Sequence, residues 1–479
     1  MRESRRANLI IVFSLLMIAA AFAIYATMVL RWFSPDSGTA VRSQNPAATA
    51  AARAELDAAR AEFRERLLDP RAHMRLSEAL WKAGLPVDSF YVLYAARQLF
   101  SDDEFRRAHA EVIVGVGGPA AEARARLKGL NDPALTVPVH AEAARDYPDT
   151  AEGRDSLEQL ARMASDAGAG ESAELALTAL GDLYRQDPKN PEKLAALGAA
   201  LIARGDDAKA AAYAHEALNK YPNQGGAERV MGMLALKDRD IDGARKWLNA
   251  AWERDAHDLY SASKLAEIYD KRRGDPEEAL PFYLALYHEN PYYTDVDTVD
   301  AETIIRRTLD GRRARLLQYV GVSGLGSRFA LDDASLRAEA ALRAADFKDP
   351  RWIDALAALL DDDCEIVRRN ADYALYRIGQ AHPEALQPRR DEWLSSPKPL
   401  VRIRALNLFA DLDGLNVLPY VVQAMADPNP GARAFAVIMV LDHYFSGAPE
   451  AARARARFLS KEKDPEVLDF VRRYSSRPR

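Results

Sequence analysis

Glu192–Pro222, EKLAALGAALIARGDDAKAAAYAHEALNKYP, is the stretch whose reading decides the fold. It carries Leu197, Gly198, Leu201, Gly205, Ala210, Ala217 and Pro222. About 34 residues on stand Met231, Gly232, Ala235, Ala244, Leu248 and Ala251. A third unit has Leu265, Ala266, Tyr269, Ala279, Tyr283, Leu286 and Pro291, with one extra residue near Gly274. Apolar residues at three- and four-residue steps predict amphipathic helices. Small residues at the eighth and twentieth places of each unit let two helices approach closely. Larger apolar residues fill the space between hairpins, and proline near the end stops the second helix.

These residues and spacings resemble the tetratricopeptide repeat over about 157–291. A weaker match covers about 51–110, where Leu76, Leu80, Gly84, Ser89, Leu93 and Ala96 lie on the same template. The stretch 51–156 therefore reads as irregular helical hairpins and 157–293 as the clear repeats. The resemblance implies a groove lined by the first helix of each hairpin. On this register it presents Arg229, Met233, Lys237, Tyr260, Ser263, Glu267, Asp270 and Lys271, a mixture suited to a peptide segment. The preceding unit has Ala195 and Ala199 at the equivalent places, so the clamp of chaperone-tail-binding members has no counterpart. Tyr287, Tyr292 and Tyr293 form a second candidate surface, or else cap the last repeat.

Residues 294–334 break the rhythm and read as a junction, with a short basic helix around Ile304–Tyr319. Beyond it the period persists with a different motif over 335–479. Asp362 precedes Arg368 by six residues, Val401 and Arg402 lie 34 residues further on, and Asp427 precedes Arg433 by six. This resembles HEAT repeats over about 335–475, of the short bacterial kind found in phycobilin-lyase-like proteins. The resemblance implies a structural ladder of Asp362, Arg368, Arg402, Asp427 and Arg433, with Ser396 standing where one aspartate is expected. Asp349-Pro350, Asp427-Pro428 and Asp464-Pro465 read as helix starts, each with an Asp cap before a first-turn proline.

At the N-terminus, residues 1–6 carry Arg2, Arg5 and Arg6, and Ala7–Leu30 is a run of 24 residues without charge. That length crosses a hydrocarbon core of roughly 30 Å as a helix. The bias of basic residues predicts a single-pass anchor over 7–31, with the N-terminus in the cytoplasm and the repeats in the periplasm of a bacterial inner membrane. Cleavage as a signal peptide after Ala21-Phe22-Ala23 is the competing reading; the apolar run continues past it. Residues 32–50, rich in Ser, Pro, Ala and Thr, read as a flexible linker.

A net charge of -6 argues against nucleic acid as a partner, and one cysteine, Cys364, allows neither an internal disulfide nor a cysteine-rich metal site. The eight histidines are scattered, without the four-residue spacing of a helical metal site. Ser261–Lys264 and Ser395–Lys398 match S-x-x-K without its companion motifs. The acidic triplet Asp361–Asp363 reads as a turn before a helix. Arg472, Arg473, Arg477 and Arg479 form a small basic tail. The expectation is an all-α chain, an anchor followed by an α-solenoid, without catalysis or cofactor, no small-molecule substrate, and other proteins as partners. The alternatives are a HEAT-type bilin lyase-like enzyme and a docking subunit of a redox or secretion complex.

Overall fold

The computed structural model describes residues 46–115, 133–166, 170–255, 257–293, 300–317, 325–438, 445 and 447–475. Every regular element among them is helical, as the all-α reading expects. The expected cytoplasmic stretch 1–6 and anchor 7–31 lie outside the described residues, and no described helix is long and apolar enough to cross a membrane. Contacts divide the chain into Met1–Thr49 and Ala50–Arg479.

Four helices come first: α1 (Pro46–Glu65), α2 (Pro70–Lys82), α3 (Pro86–Leu99) and α4 (Asp102–His109), the last running into a π turn, Ala110–Val114. α1 begins inside the stretch expected to be linker. Asp69 caps α2, and Ser101 with Glu104 forms a reciprocal capping box on α4.

A first run of hairpins follows. It comprises α5 (Pro133–Asp146), α6 (Ala151–Ser165), α7 (Glu171–Gln186), α8 (Pro191–Ala203), α9 (Asp207–Lys220), α10 (Gly225–Lys237), α11 (Ile241–Arg254), α12 (Leu259–Glu267) and α13 (Pro276–Glu289). The boundary expected at 156/157 falls inside α6. The glycines at the eighth place do what the spacing requires. A Cβ on Gly198 would lie 2.3 Å from Val230 Cγ2, and one on Gly232 would lie 2.6 Å from Leu248 Cδ2. Both are contacts that no side chain tolerates without rearrangement.

α14 (Ala301–Leu317) fills the expected junction. The second run is α15 (Ala334–Phe347), α16 (Ile353–Leu359), α17 (Glu365–Ala381), α18 (Pro383–Leu386), α19 (Arg390–Leu394), α20 (Pro399–Asp413), α21 (Leu418–Ala424), α22 (Pro430–Phe435), α23 (Pro449–Lys461) and α24 (Pro465–Ser475). Asp349 and Asp464 cap the turns that begin at Pro350 and Pro465, accepting from Arg351 N and Glu466 N. Asp427-Pro428 does not start a helix as expected. The Asp427 carboxylate accepts from Asn429 N at 2.8 Å as well as from Arg402, and the helix starts two residues later with Asn429 as cap and Pro430 in the first turn.

Helices far apart in sequence meet in space. α3 packs against α13, α15 and α17, so helices that precede the first run sit between its end and the start of the second. The expected single stretch 51–156 therefore feeds two cores. Leu56, Phe63, Leu76, Leu80, Leu93 and Phe105 join a core with Tyr283, Tyr287, Ile305, Leu356 and Leu375. Val137, Ala144 and Leu157 belong to a separate core running from α5 into α10. Each fully buried Leu or Phe stabilises its core by roughly 1.5–3 kcal/mol.

Candidate binding surfaces

The expected groove residues lie on α10, α12 and the π turn after α12, Ile268–Arg272. Arg229 departs from the expectation. It is 9% exposed and lies between two carboxylates. Its Nη1 and Nη2 donate to Glu192 at 3.0 and 2.6 Å, and its Nε donates to Asp258 at 2.9 Å. Asp258 in turn caps α12, accepting from Ser261 N at 3.0 Å and Ser261 Oγ at 2.6 Å. Arg229 therefore ties three successive hairpins together and offers no free charge to a ligand. Burial works against the guanidinium charge, and Asp258 and Glu192 more than restore it.

The other groove residues keep partial or full exposure. Lys237 donates to Asp207 at 2.6 Å and to Ile202 O at 3.1 Å. Ser263 Oγ lies 3.0 Å from Tyr293 Oη, and Asp270 accepts from Tyr283 Oη at 3.2 Å. Glu267 pairs with Lys264 and Arg272 at 3.3 and 3.5 Å. Met233 and Tyr260 are half-buried and Lys271 is exposed. On the first helices of two successive hairpins they put half-buried Met233 and Tyr260 beside charged Lys237, Glu267 and Lys271.

Of the second candidate surface, Tyr287 lies in an internal seam, while Tyr292 and Tyr293 keep partial exposure. Tyr287 is fully buried, edge-on to Phe90 at 4.9 Å. Tyr292 lies between the guanidinium groups of Arg97 and Arg106, 4.5 and 3.6 Å from its ring centre, and donates to Asp102 at 2.5 Å. Both rings face α3 and α4, which close the end of the first run.

That seam contains a polar line no motif announced. Ser77 Oγ meets Ser89 Oγ at 2.8 Å, and Ser89 Oγ lies 3.1 Å from His288 Nδ1. His288 Nε2 faces Glu78 Oε2 at 2.9 Å, and the imidazole stacks on Trp81 at 4.6 Å. A serine, histidine and glutamate in line resemble a nucleophile with its base. However, Ser77, Ser89 and His288 are all at most 1% exposed, so the line works as a clasp between α2, α3 and α13.

In the second run each of four arginines reaches back to the carbonyl six residues before it. Arg337 donates to Leu331 O at 2.7 Å, Arg402 to Ser396 O at 2.6 Å, Arg433 to Asp427 O at 2.9 Å, and Arg368 to Asp362 O. The remaining nitrogens reach the next hairpin. Arg402 holds Asp427 bidentately at 2.7 Å, and Arg433 reaches Glu462 at 2.8 Å and Asp464 at 3.3 Å. Asp362 pairs with Arg337, which sequence reading passed over, at 2.8 and 3.0 Å. With Ser396 in place of an aspartate, Arg368 turns to Glu365 at 2.9 Å. Arg337 also donates to buried Asp88 on α3 at 2.7 Å, which keys the first helices to the second run.

The acidic triplet is fully claimed. Asp361 accepts from Arg64 at 3.1 Å and pairs with Lys398 at 3.0 Å; Asp363 accepts from Arg60 at 2.6 Å. No grouping suited to a metal ion occurs among the described residues. Cys364 is buried, which pushes its thiol pKa up. Ser261 and Ser395 of the S-x-x-K matches bond locally, to Asp258 and to Asp391 O. Of the basic tail, Arg473 pairs with Glu104 at 2.5 Å, and Arg477 and Arg479 lie outside the described residues. Compared with known protein families and with curated proteins, the chain matches none.

Proposed function

We propose that this chain is a membrane-anchored scaffold that holds other proteins through two runs of helical hairpins, tetratricopeptide-like and then HEAT-like. The single observation that supports this most is the row Met233, Lys237, Tyr260, Glu267 and Lys271, held at fixed spacing on successive hairpins by the buried Arg229 network. Half-buried apolar side chains flanked by charges on a rigid helical edge suit a polypeptide partner. The charge bias of residues 1–31 supports a periplasmic position for the hairpins.

Reporter fusions after Asn45 and after Arg479, one type active in the periplasm and one in the cytoplasm, test the topology. Photo-cross-linking groups at Tyr260 and Lys237 in cells then test partner binding. Periplasmic signals at both sites, with discrete cross-linked proteins, are expected. Cytoplasmic signals overturn the localisation, and absence of any cross-linked species at both positions overturns the scaffold reading.

A further inference from the structure

A cavity of about 340 Å³ opens at the turns between hairpins, where α8, α10 and α12 begin. Pro191, Tyr221, Pro222 and Ala251 give it apolar walls. Its charged lining sums to zero, Lys189, Arg229 and Arg254 against Glu192, Asp255 and Asp258, with Lys189 Nζ 5.9 Å from the centre of the Tyr221 ring. Arg229 neutralises Glu192 and Asp258. Arg254 donates to Asn223 Oδ1 at 2.8 Å and lies 3.5 Å from Glu228, and Asp255 accepts from His257 N at 2.8 Å.

Gln224 differs from the rest. It lines the cavity at the cap of α10 and is 6% exposed. Its Oε1 accepts from Ala227 N at 2.5 Å, which fixes the orientation of the amide, and its Nε2 has no hydrogen-bond partner. A buried donor left in this state costs about 1–3 kcal/mol, recovered by any ligand that brings an acceptor oxygen. The first N–H groups of α10 beside it lack intrahelical acceptors for the same geometric reason as at any helix start. A charge-balanced, apolar-walled cavity with a buried, unpartnered donor in its wall selects an uncharged acceptor over an ion, because an ion would be desolvated without a counter-charge. A peptide carbonyl has that chemistry.

We propose that this cavity binds an extended, uncharged stretch of a partner polypeptide, one main-chain carbonyl accepting from Gln224 Nε2 while a neighbouring side chain lies on Tyr221. The proposal rests on the reading of the chain as a holder of polypeptides and places a contact at the turns, apart from the row on α10 and α12.

The test titrates the full chain in detergent micelles into a fluorophore-labelled, N-acetylated and C-amidated alanine-proline peptide, read by anisotropy. Gln224→Glu keeps the oxygen that caps α10 and replaces the donor by a second oxygen. Gln186→Glu, at the exposed end of α7, makes the same chemical change elsewhere. Saturable binding by the native chain and by Gln186→Glu is expected, weakened about tenfold or more in Gln224→Glu at a temperature where its helical circular dichroism still matches that of the native chain. Equal binding by native and Gln224→Glu chains overturns the proposal. So does absence of binding by the native chain while partners still cross-link at Tyr260; in that case the scaffold reading stands and only this cavity is lost. If no partner cross-links either, the reading beneath it has failed as well.

Discussion

Replacing Arg229 by methionine separates a structural role from a ligand-binding one. The substitution keeps much of the side-chain volume and removes the charge that Glu192 and Asp258 share. Removing one partner of a buried ion pair costs about 3–5 kcal/mol, because the other charge is left without compensation. Two features place the loss at the lower end. The Glu192 side chain is 23% exposed, so water recovers part of its solvation. Asp258, 2% exposed, keeps its bonds to Ser261 N and Oγ. The expected loss is about 3 kcal/mol, which corresponds to amide exchange in α8, α10 and α12 roughly a hundredfold faster, read by hydrogen-exchange mass spectrometry on the full chain. The effect has a pH signature. Burial pushes the Glu192 carboxyl up, but Arg229 holds it below its ordinary value. That contribution is present above about 4.5 and lost as the pH falls through the folded-state pKa, so the gap between native and variant narrows on acidification. Adding Glu192→Gln and Asp258→Asn to Arg229→Met restores most of the protection. A loss under about 1 kcal/mol, or loss of cross-linked partners with stability unchanged, would refute the structural assignment.

Four further perturbations follow from the same geometry. Burial lowers the pKa of His73 from 6.5 to about 4, while the unfolded chain takes up its proton near 6.5; stability is full above that value and falls by on the order of 3 kcal/mol down to pH 4. His73→Phe removes this slope. The native-minus-variant difference isolates it from Asp88 and Asp372, which burial pushes up to about 6 and about 7 with the opposite sign, and a pH-independent difference counts against the account. Gly198→Ala drives a methyl into Val230 and lowers stability by about 1–3 kcal/mol, partly relieved by Val230→Ala; a neutral result shows the helices are free to separate. Ser396→Asp supplies the missing carboxylate and raises the denaturation midpoint by no more than about 1 kcal/mol equivalent, since Arg368 already has Glu365, and a fall contradicts the ladder geometry. Replacing Glu78, Ser89 and His288 together by leucine, alanine and leucine leaves stability within about 2 kcal/mol but broadens hydrogen exchange across α2, α3 and α13 into several populations; one sharp population would show the polar clasp is dispensable.

The helical spacing was legible because its physics is local. Gly198, Ala210, Gly232 and Ala244 sit at the small-residue places of the period; Gly232 meets Leu248 within its own hairpin, and Gly198 meets Val230 on the next one. All four are tightly packed, the glycines against neighbouring side chains and the alanines fully buried. Arg402 and Asp427 were likewise marked by the period, and they pair across adjacent hairpins. Arg229 was misplaced for a neighbouring reason. Its position on the helix points toward the groove, but carboxylates one hairpin before and one hairpin after close over it. Reading Glu192, Arg229 and Asp258 together, rather than each unit alone, would have found the network. Asp427 illustrates a double use that sequence does not announce: the same carboxylate accepts from Asn429 N in the turn and from Arg402 in the ladder. The return of α1–α4 was not legible at all. Ser89 meets His288 from 199 residues away and Arg60 meets Asp363 from 303, separations that leave no periodic trace.

The polar groups at that return address a difficulty that repeats create for themselves. Hairpins built from alanine and leucine have nearly interchangeable apolar faces, so hydrophobic burial alone gives little reason for α3 to choose α13, α15 and α17 over other hairpin surfaces. Buried polar pairs discriminate where burial does not. Asp88 finds Arg337 at 2.7 Å and Ala334 N at 3.0 Å only in the observed arrangement; docked elsewhere it is a desolvated carboxylate without a partner. His288 finds Ser89 on one side and Glu78 on the other only if α2 and α3 arrive in register. Such groups add little net stability over apolar replacements of the same shape, and each wrong pairing costs several kcal/mol. The clasp residues therefore act as an address rather than an adhesive. This accounts for their clustering where α2 and α3, distant in sequence, meet α13 and α15, while neighbouring hairpins of the first run combine close packing of small residues with the Arg229 network.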